Sequence, residues 1–317
     1  MRLLYFLEDT GIAYKQNVPL SKKTWIKTGG ICDYWITPTT IEQLVEVCRY
    51  LYANDIKFDI VGQTSNIYFH STYNPQVVVS TTGVNYYEIK DDTVVCGCGV
   101  SVMKLAKEFL ALGYAGFYGL VGLPGTVASA VVNNAGCFQC SVSSMLISAE
   151  VLNPDGTIET ISKEDFYYAK RSSAFKRGDR TGVILSIKMG LQHSENVEEE
   201  KRKAEDTKAY RKKRQEGYKS NLGSVFAVKK ERHNARNVIA KLTAKILNAL
   251  KIRSFSHTRK HVLLWLYRYR DLDRYISDKN VNTFVWRDED AGDAFERYKQ
   301  FMSKVYKDLT IEIEEKI

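Results

Sequence analysis

The chain has 317 residues, long enough for two or three domains with cores of their own. Its 44% hydrophobic and 26% charged residues are ordinary for a soluble globular protein, and its formal net charge of +9 fits an anionic partner: nucleic acid, nucleotide or acidic sugar. No window approaches a membrane-spanning length, and the apolar run 3–7 is ended by Glu8 and Asp9 far too early for a signal peptide.

In chain order, Ile41, Leu44, Val45, Cys48 and Leu51 recur at helical spacing and predict a helix over 41–54. A strand is expected over 58–62, followed at once by the polar turn Gln63-Thr64-Ser65-Asn66. Strands are expected at 77–80 and 93–100. A helix over 101–112 has Ser101 as N-cap and stops at Gly113. The runs 146–152 and 157–161 flank Pro154-Asp155-Gly156 as a hairpin, and 182–191 reads as another strand. Strands and helices therefore mix without a regular βαβ rhythm, which predicts an α+β fold. The run 201–219 alternates basic residues with Glu205 and Asp206, following Glu198, Glu199 and Glu200; a solvated charged helix is expected there. Beyond it come two long helices, 235–250 and 291–306, with an aromatic-rich segment (Trp265, Tyr267, Tyr269, Tyr275) between them. The end, 309–315, alternates apolar and acidic residues as a strand does, which would put Glu312 and Glu314 on one face.

Six cysteines without a secretory signal are expected as free thiols. Cys96-Gly-Cys98 and Cys137-Phe-Gln-Cys140 have metal-like spacing, but apolar neighbours favour buried thiols, so no metal site is expected.

Residues 119–136, GLVGLPGTVASAVVNNAG, combine four glycines and one proline with small and apolar residues. Glycine allows positive φ and lets main-chain amides face a ligand; read alone, the segment is equally a tight turn before a buried helix. The turn Gly62-Gln63-Thr64-Ser65-Asn66 is a candidate nest for a pyrophosphate, or simply a polar β-turn. Neither segment fits the GxGxxG dinucleotide fingerprint, and no GK[ST] sequence of a P-loop occurs. Arg171, beside Ser172 and Ser173, offers a two-pronged grip on a carboxylate, or a surface ion pair. Ser224, beside Gly223, is a proton donor or a loop hydroxyl.

Order and spacing say more than any one motif. Residues 24–30 (TWIKTGG), 62–66 (GQTSN), 122–130 (GLPGTVASA) and Asn134-Ala135-Gly136, then 170–173 (KRSS), 222–226 (LGSVF) and 311–315 (IEIEE), together resemble the UDP-N-acetylenolpyruvoylglucosamine reductase family. The match is good over about 17–191 and patchy beyond Phe226. The resemblance implies a two-subdomain FAD-binding domain of the vanillyl-alcohol-oxidase-like type at 17–192, a charged connection at 193–219 and a smaller α+β substrate-binding domain at 220–317. It implies FAD as cofactor, held by Gly62, Gln63, Thr64, Ser65, Asn66, Gly122, Leu123, Pro124, Gly125, Thr126, Ser129, Asn134, Ala135 and Gly136. It also implies NADPH as electron donor, a nucleotide-sugar substrate and a cytoplasmic enzyme of peptidoglycan precursor synthesis. Neither nucleic acid nor membrane is expected as a partner, because the basic run lacks an aromatic stacking pattern and no window reaches a membrane-spanning length. Arg171, Ser224 and Glu314 take the catalytic positions and are expected to converge on the flavin.

The chain departs from the family pattern at several places. Gln63 and Thr64 stand where the family has glycines, as do Ala128 and Ser129, and both changes are expected to turn side chains toward FAD. Ala227-Val228-Lys229 stands in place of Lys-Asn-Pro, and the family's His-Ala-Asn-Phe is faint at Asn280-Val-Asn-Thr-Phe284. These changes keep open another nucleotide-sugar or sugar-acid substrate, and a flavin- or anion-binding protein without catalysis.

Overall fold

The computed structural model describes residues 2–217, 220–288 and 291–317. They form two compact units: Met1–Lys22, Ile31–Thr64 and Asn74–Ala209 in the first; Lys23–Gly30, Ser65–Tyr73 and Tyr210–Ile317 in the second.

The first unit holds two sheets. Tyr14–Pro19, Ile31–Ile36, Val77–Ser80 and Phe58–Val61 lie side by side in that order; the first pair is antiparallel and the rest parallel. Val77–Ser80 sits inside this sheet with all four residues buried, as a Val-Val-Val run covered on both faces should be. The second sheet is antiparallel throughout, in the order Ile158–Ser162, Leu146–Leu152, Val183–Gly190, Thr93–Gly97, Tyr87–Lys90.

Helices cover these sheets with the faces their sequences dictate. Helix α1 (Arg2–Thr10) buries Leu3 and Leu7. Helix α2 (Ile41–Ala53) starts at Thr40, whose hydroxyl accepts from Gln43 N, and buries Leu44, Val45, Val47, Cys48 and Leu51. Helix α3 (Val102–Ala111) is capped by Ser101 and ends just before Gly113, which has a φ of 86°. The short helices α4 (Val127–Val132), α5 (Val142–Met145) and α6 (Ala174–Arg177) lie along the glycine segment and the loops after it. Cys96 packs in the core that contains Phe109, Phe117, Val127 and Ile187, whereas Cys98 packs in the core that contains Leu7, Leu44 and Val79. The two sulfurs belong to different cores, and burial pushes both thiols up to about 12.

Helix α7 (Val197–Arg214) is the charged run, with Lys201 on Glu198 at 2.7 Å and Lys208 on Glu205 at 2.6 Å. Glu198, Glu199 and Glu200 occupy its first turn and Arg211, Lys212, Lys213 and Arg214 its last, the arrangement a helix dipole favours. The end of that basic run, at Lys219, lies outside the described residues.

In the second unit, α8 (Ala235–Ala249), α9 (Phe255–Tyr267) and α10 (Ala291–Val305) surround an aromatic core of Phe284, Trp286, Phe295, Tyr298 and Phe301. Ile67–Phe69 joins this unit by pairing in parallel with Glu314–Lys316. The aromatic segment, for which spacing predicted no element, contains a helix, α9, whose Leu263, Leu264 and Tyr267 form one buried stripe. The residues after it are core: Tyr275 stacks on Phe284 at 5.7 Å and Tyr269 packs on Phe301 at 5.6 Å. The C-terminal strand is also broken in two, at Thr310–Ile311 and Glu314–Lys316, because each half pairs with a different partner. Glu312 and Glu314 therefore do not share one strand face. Among the described residues no helix is long and apolar enough to cross a membrane.

Phe109 is fully buried and meets Phe117 and Tyr87 edge to face at 5.2 and 5.3 Å. Phe109→Ala is expected to lower unfolding stability in urea by about 3–5 kcal/mol; a loss below about 1 kcal/mol would contradict this packing.

Candidate functional site

In the first unit, the strand Phe58–Val61 delivers the chain into the turn that begins at Gly62. A Cβ on Gly62 would lie 2.5 Å from Thr126 Oγ1, so the turn reaches the start of α4 only because this residue is glycine. Gln63 continues the contact: its Oε1 accepts a hydrogen bond from Gly125 N at 3.0 Å. The Gln63 amide oxygen is thus committed to the glycine segment. Thr64 is buried at a φ of 55°, a left-handed conformation that is costly for a β-branched side chain.

The glycine segment opposite is built from the same kind of backbone. Gly122 and Gly125 have φ of 80° and 117°, and Asn134 has 45°. Leu123 rests on the core around Phe117, and Pro124 stiffens the turn between the two glycines. Thr126 and Ser129 form a reciprocal cap: Thr126 N donates to Ser129 Oγ at 3.0 Å, and Ser129 N to Thr126 Oγ1 at 3.4 Å. Ser129, like Gln63, therefore serves the main chain. Ala135 N closes the segment onto Ala130 O at 2.8 Å, and Gly136 pairs with Ser141.

The end of this segment holds Arg171. Asn134 Nδ2 donates to Ala169 O at 2.8 Å, and Ser173 Oγ donates to Val132 O at 2.6 Å. Between these ties Ala169 and Ser172 exchange main-chain hydrogen bonds of 3.0 and 3.1 Å, and Arg171 sits at a φ of 56°. Its side chain is exposed and makes no hydrogen bond or ion pair among the described residues. A doubly tied turn at positive φ thus presents an exposed guanidinium that has no partner among the described residues.

The second unit carries the other candidates. Ser224 is exposed and follows Gly223, which has a φ of 72°. Asn282 grips this stretch from both sides: Phe226 N donates to its Oδ1 at 3.1 Å, its Nδ2 donates to Phe226 O at 2.7 Å, and Val225 N donates to Asn282 O at 2.9 Å. Sequence spacing gave Asn282 no role; the faint Asn280–Phe284 motif was its one signal. Glu312 N donates to Val225 O at 2.8 Å, so the main chain at Glu312 adjoins the residue after Ser224. Asn66 is bonded to the same C-terminal stretch, with Nδ2 donating to Glu312 O at 3.3 Å and its carbonyl accepting from Glu314 N at 2.9 Å. Glu314 is exposed and pairs with Lys316 at 2.9 Å. Its neighbour Glu315 turns inward to Lys299 at 3.1 Å and His70 at 3.4 Å. Ser65, ahead of Asn66, is half-buried.

Two clusters have metal-ligand composition: His257, His261 and Asp278, and His70, Glu296 and Glu315. In each an ammonium already sits among the carboxylates. Lys260 pairs with Asp278 and with Asp273 at 2.9 Å; Lys299 pairs with Glu296 at 2.7 Å and with Glu315.

The first-unit loops fit the diphosphate of a dinucleotide in their donor chemistry. The main-chain amides of Gln63 and Gly122 have no partner among the described residues, and backbone approaches where a side chain would not fit. A cavity of about 130 Å³ lies beside Gln63, lined also by Gly99, Ser101, Lys104 and Glu108.

Comparison with known proteins gives the class to which the chain belongs. The FAD binding domain family matches residues 32–162, so the class defined by fold and loops is that of FAD-binding proteins. The UDP-N-acetylenolpyruvoylglucosamine reductase of Nostoc sp. (strain PCC 7120) is 33% identical over 191 residues, covering 60% of this chain and 57% of that protein. That of Bacillus velezensis is 31% identical over 209 residues, covering 66% of this chain and 68% of that protein. The chain belongs to the UDP-N-acetylenolpyruvoylglucosamine reductase family. Its matched part spans 56–57% of the length of the Nostoc relatives. The crystal structure of UDP-N-acetylenolpyruvylglucosamine reductase from Thermus caldophilus shares the fold, with a TM-score of 0.67 at 19% identity over 96% of this chain and 98% of that one.

Gly62→Ala is expected to push the turn off Thr126, cost about 1–3 kcal/mol in stability and weaken FAD binding by roughly tenfold or more. Urea denaturation and the flavin-to-protein ratio measure the two effects; a variant with wild-type flavin content would contradict the cradle.

Proposed function

We propose that this protein is an FAD-dependent reductase that converts UDP-N-acetylglucosamine enolpyruvate to UDP-N-acetylmuramate with NADPH as donor, in the cytoplasm. The observation that carries the reading is the Gln63–Gly125 contact within an FAD-binding domain, with the Arg171 turn tied to the same segment by Asn134 and Ser173. The proposed division is an FAD domain at 17–192, a charged connection at 193–219 and a substrate domain at 220–317.

Bound FAD supplies the hydride transfer that no side chain here performs. The chain supplies binding, orientation and the proton. Gly62, Gln63, Thr64, Ser65 and Asn66, together with Gly122, Leu123, Pro124, Gly125, Thr126, Ser129, Asn134, Ala135 and Gly136, are the proposed FAD contacts, with main-chain amides on the diphosphate. Arg171 grips the carboxylate of the enolpyruvyl group. When one carbon of the double bond receives hydride, negative charge builds toward that carboxylate, and the fixed guanidinium opposes it. Glu314 orients and polarises the same end of the substrate. Ser224 donates its hydroxyl proton to the other carbon and regains one from solvent. Two electrons and one proton thus leave NADPH as hydride, a second proton comes through Ser224, and the double bond becomes single.

One observation favours a second reading with the same chemistry on a different nucleotide sugar or sugar acid. Where the family has Lys-Asn-Pro, this chain has Ala227 in a strand paired with Thr310, followed by a partly exposed Val228. Polar groups toward a nucleotide sugar are lost there.

The reading is tested by anaerobic bleaching of the flavin with NADPH and its recovery on adding UDP-N-acetylglucosamine enolpyruvate; bleaching without recovery favours the second reading. Arg171→Ala and Ser224→Ala are expected to retain flavin and lose about 10²-fold or more in turnover. Wild-type turnover in either variant removes that residue's role. Glu314→Gln is expected to lose turnover where Glu312→Gln does not, and the reverse result moves the role to Glu312.

A further inference from the structure

Helix α8 is built inside out. Its inward face is Asn237, Ala240 and Ala244. Its outward face carries Val238, Ile239, Leu242, Ile246 and Leu250, all between 45% and 63% exposed. At 100° per residue these five fall within one arc of the helix, a continuous aliphatic stripe about 18 Å long that ends at the C-cap Leu250. The helix cannot roll to hide it. Asn237 Nδ2 donates to Arg232 O and Val305 O, each at 2.8 Å, and its Oδ1 accepts from the Tyr267 hydroxyl at 3.0 Å. Rolling would break all three bonds and leave a buried amide unsatisfied.

The charge around the stripe is one-sided. From 232 to 270 there are ten Lys and Arg residues and no Asp or Glu. Arg236, Lys241, Lys245 and Lys251 are exposed on or just beyond α8, and the three lysines have no ion-pair partner among the described residues. The contrast is α7, where lysines are matched by glutamates one turn away.

We infer that α8 is an interfacial helix that docks this protein on an anionic phospholipid bilayer, with the aliphatic stripe among the acyl chains and the lysines among the headgroups. An aliphatic stripe flanked by unpaired cations is what partition into such a surface requires. Nucleic acid matches the charge but offers nothing to the stripe, which has no aromatic ring to stack. A protein partner would be met by a face without Trp or Tyr, the residues that anchor such interfaces. The expectation of no membrane partner rested on the absence of a spanning segment, and an interfacial helix needs none. The inference does not depend on the reductase reading.

The test is cosedimentation of the purified full chain with phosphatidylcholine vesicles, with and without phosphatidylglycerol, at low and high salt. The wild type is expected to pellet with the anionic vesicles only, and less at high salt. Leu242→Glu with Ile246→Glu, and separately Lys241→Gln, Lys245→Gln and Lys251→Gln together, should each weaken binding by roughly tenfold or more with an unchanged circular dichroism spectrum. Absence of the wild type from the anionic pellet at low salt overturns the inference, as does undiminished binding of the double glutamate variant. A wild-type dimer by light scattering that this double variant abolishes also overturns it, because a second copy then covers the stripe.

Discussion

The candidate FAD cradle depends on one close approach: main chain at Gly62 against the Thr126 side chain, where a Cβ does not fit. Everything around it keeps that approach in register. Gln63 bonds Gly125, Thr126 and Ser129 cap α4 reciprocally, and α4 ends where Asn134 and Ser173 hold the Arg171 turn. Hydrogen bonds and one short helix thus connect the strand end to the Arg171 turn. The cost of the arrangement is visible in the backbone. Thr64, Asn134 and Arg171 all adopt positive φ without being glycine, each a strain of order 1–3 kcal/mol that surrounding structure must over-determine.

The second unit solves a different problem. Its short strands have few ladder bonds, so side chains replace them: Asn282 holds the main chain beside Ser224, and Asn66 holds the stretch from Glu312 to Glu314. The aromatic core behind them is dense, with Phe284 in ring contact with Tyr275, Trp286, Phe295 and Tyr298. Its polar clusters are neutralised internally by Lys260 and Lys299, and burial beside Glu296 and Glu315 pushes the Tyr68 hydroxyl up to about 12. These groups are arranged to satisfy one another, whereas Arg171 in the first unit has no partner among the described residues.

Local signals in the sequence were read well where periodicity and caps decide the outcome. Leu44, Val45, Cys48 and Leu51 specified α2, Ser101 and Gly113 bounded α3, and the hairpin around Pro154-Asp155-Gly156 formed as spaced. Reading failed where distant partners decide. Nothing near Gln63 in the chain announces that its amide caps Gly125, 62 residues away. The break at Glu312 follows from two strands competing for one terminal segment, Phe226–Ala227 on one side and Ile67–Phe69 on the other. Helix α9 was masked by aromatic residues of indifferent helix propensity, and its identity came from the core it fills. The outward stripe of α8 shows the converse: apolar periodicity identifies a helix without saying which face the protein buries.

Hydrogen exchange on the protein with and without FAD tests the central claim most directly. If main-chain amides of the Gly62 turn and the glycine segment hold one dinucleotide, peptides covering 62–66 and 122–136 gain protection together as FAD is added. Protection confined to other peptides, or to one of these two alone, contradicts the account.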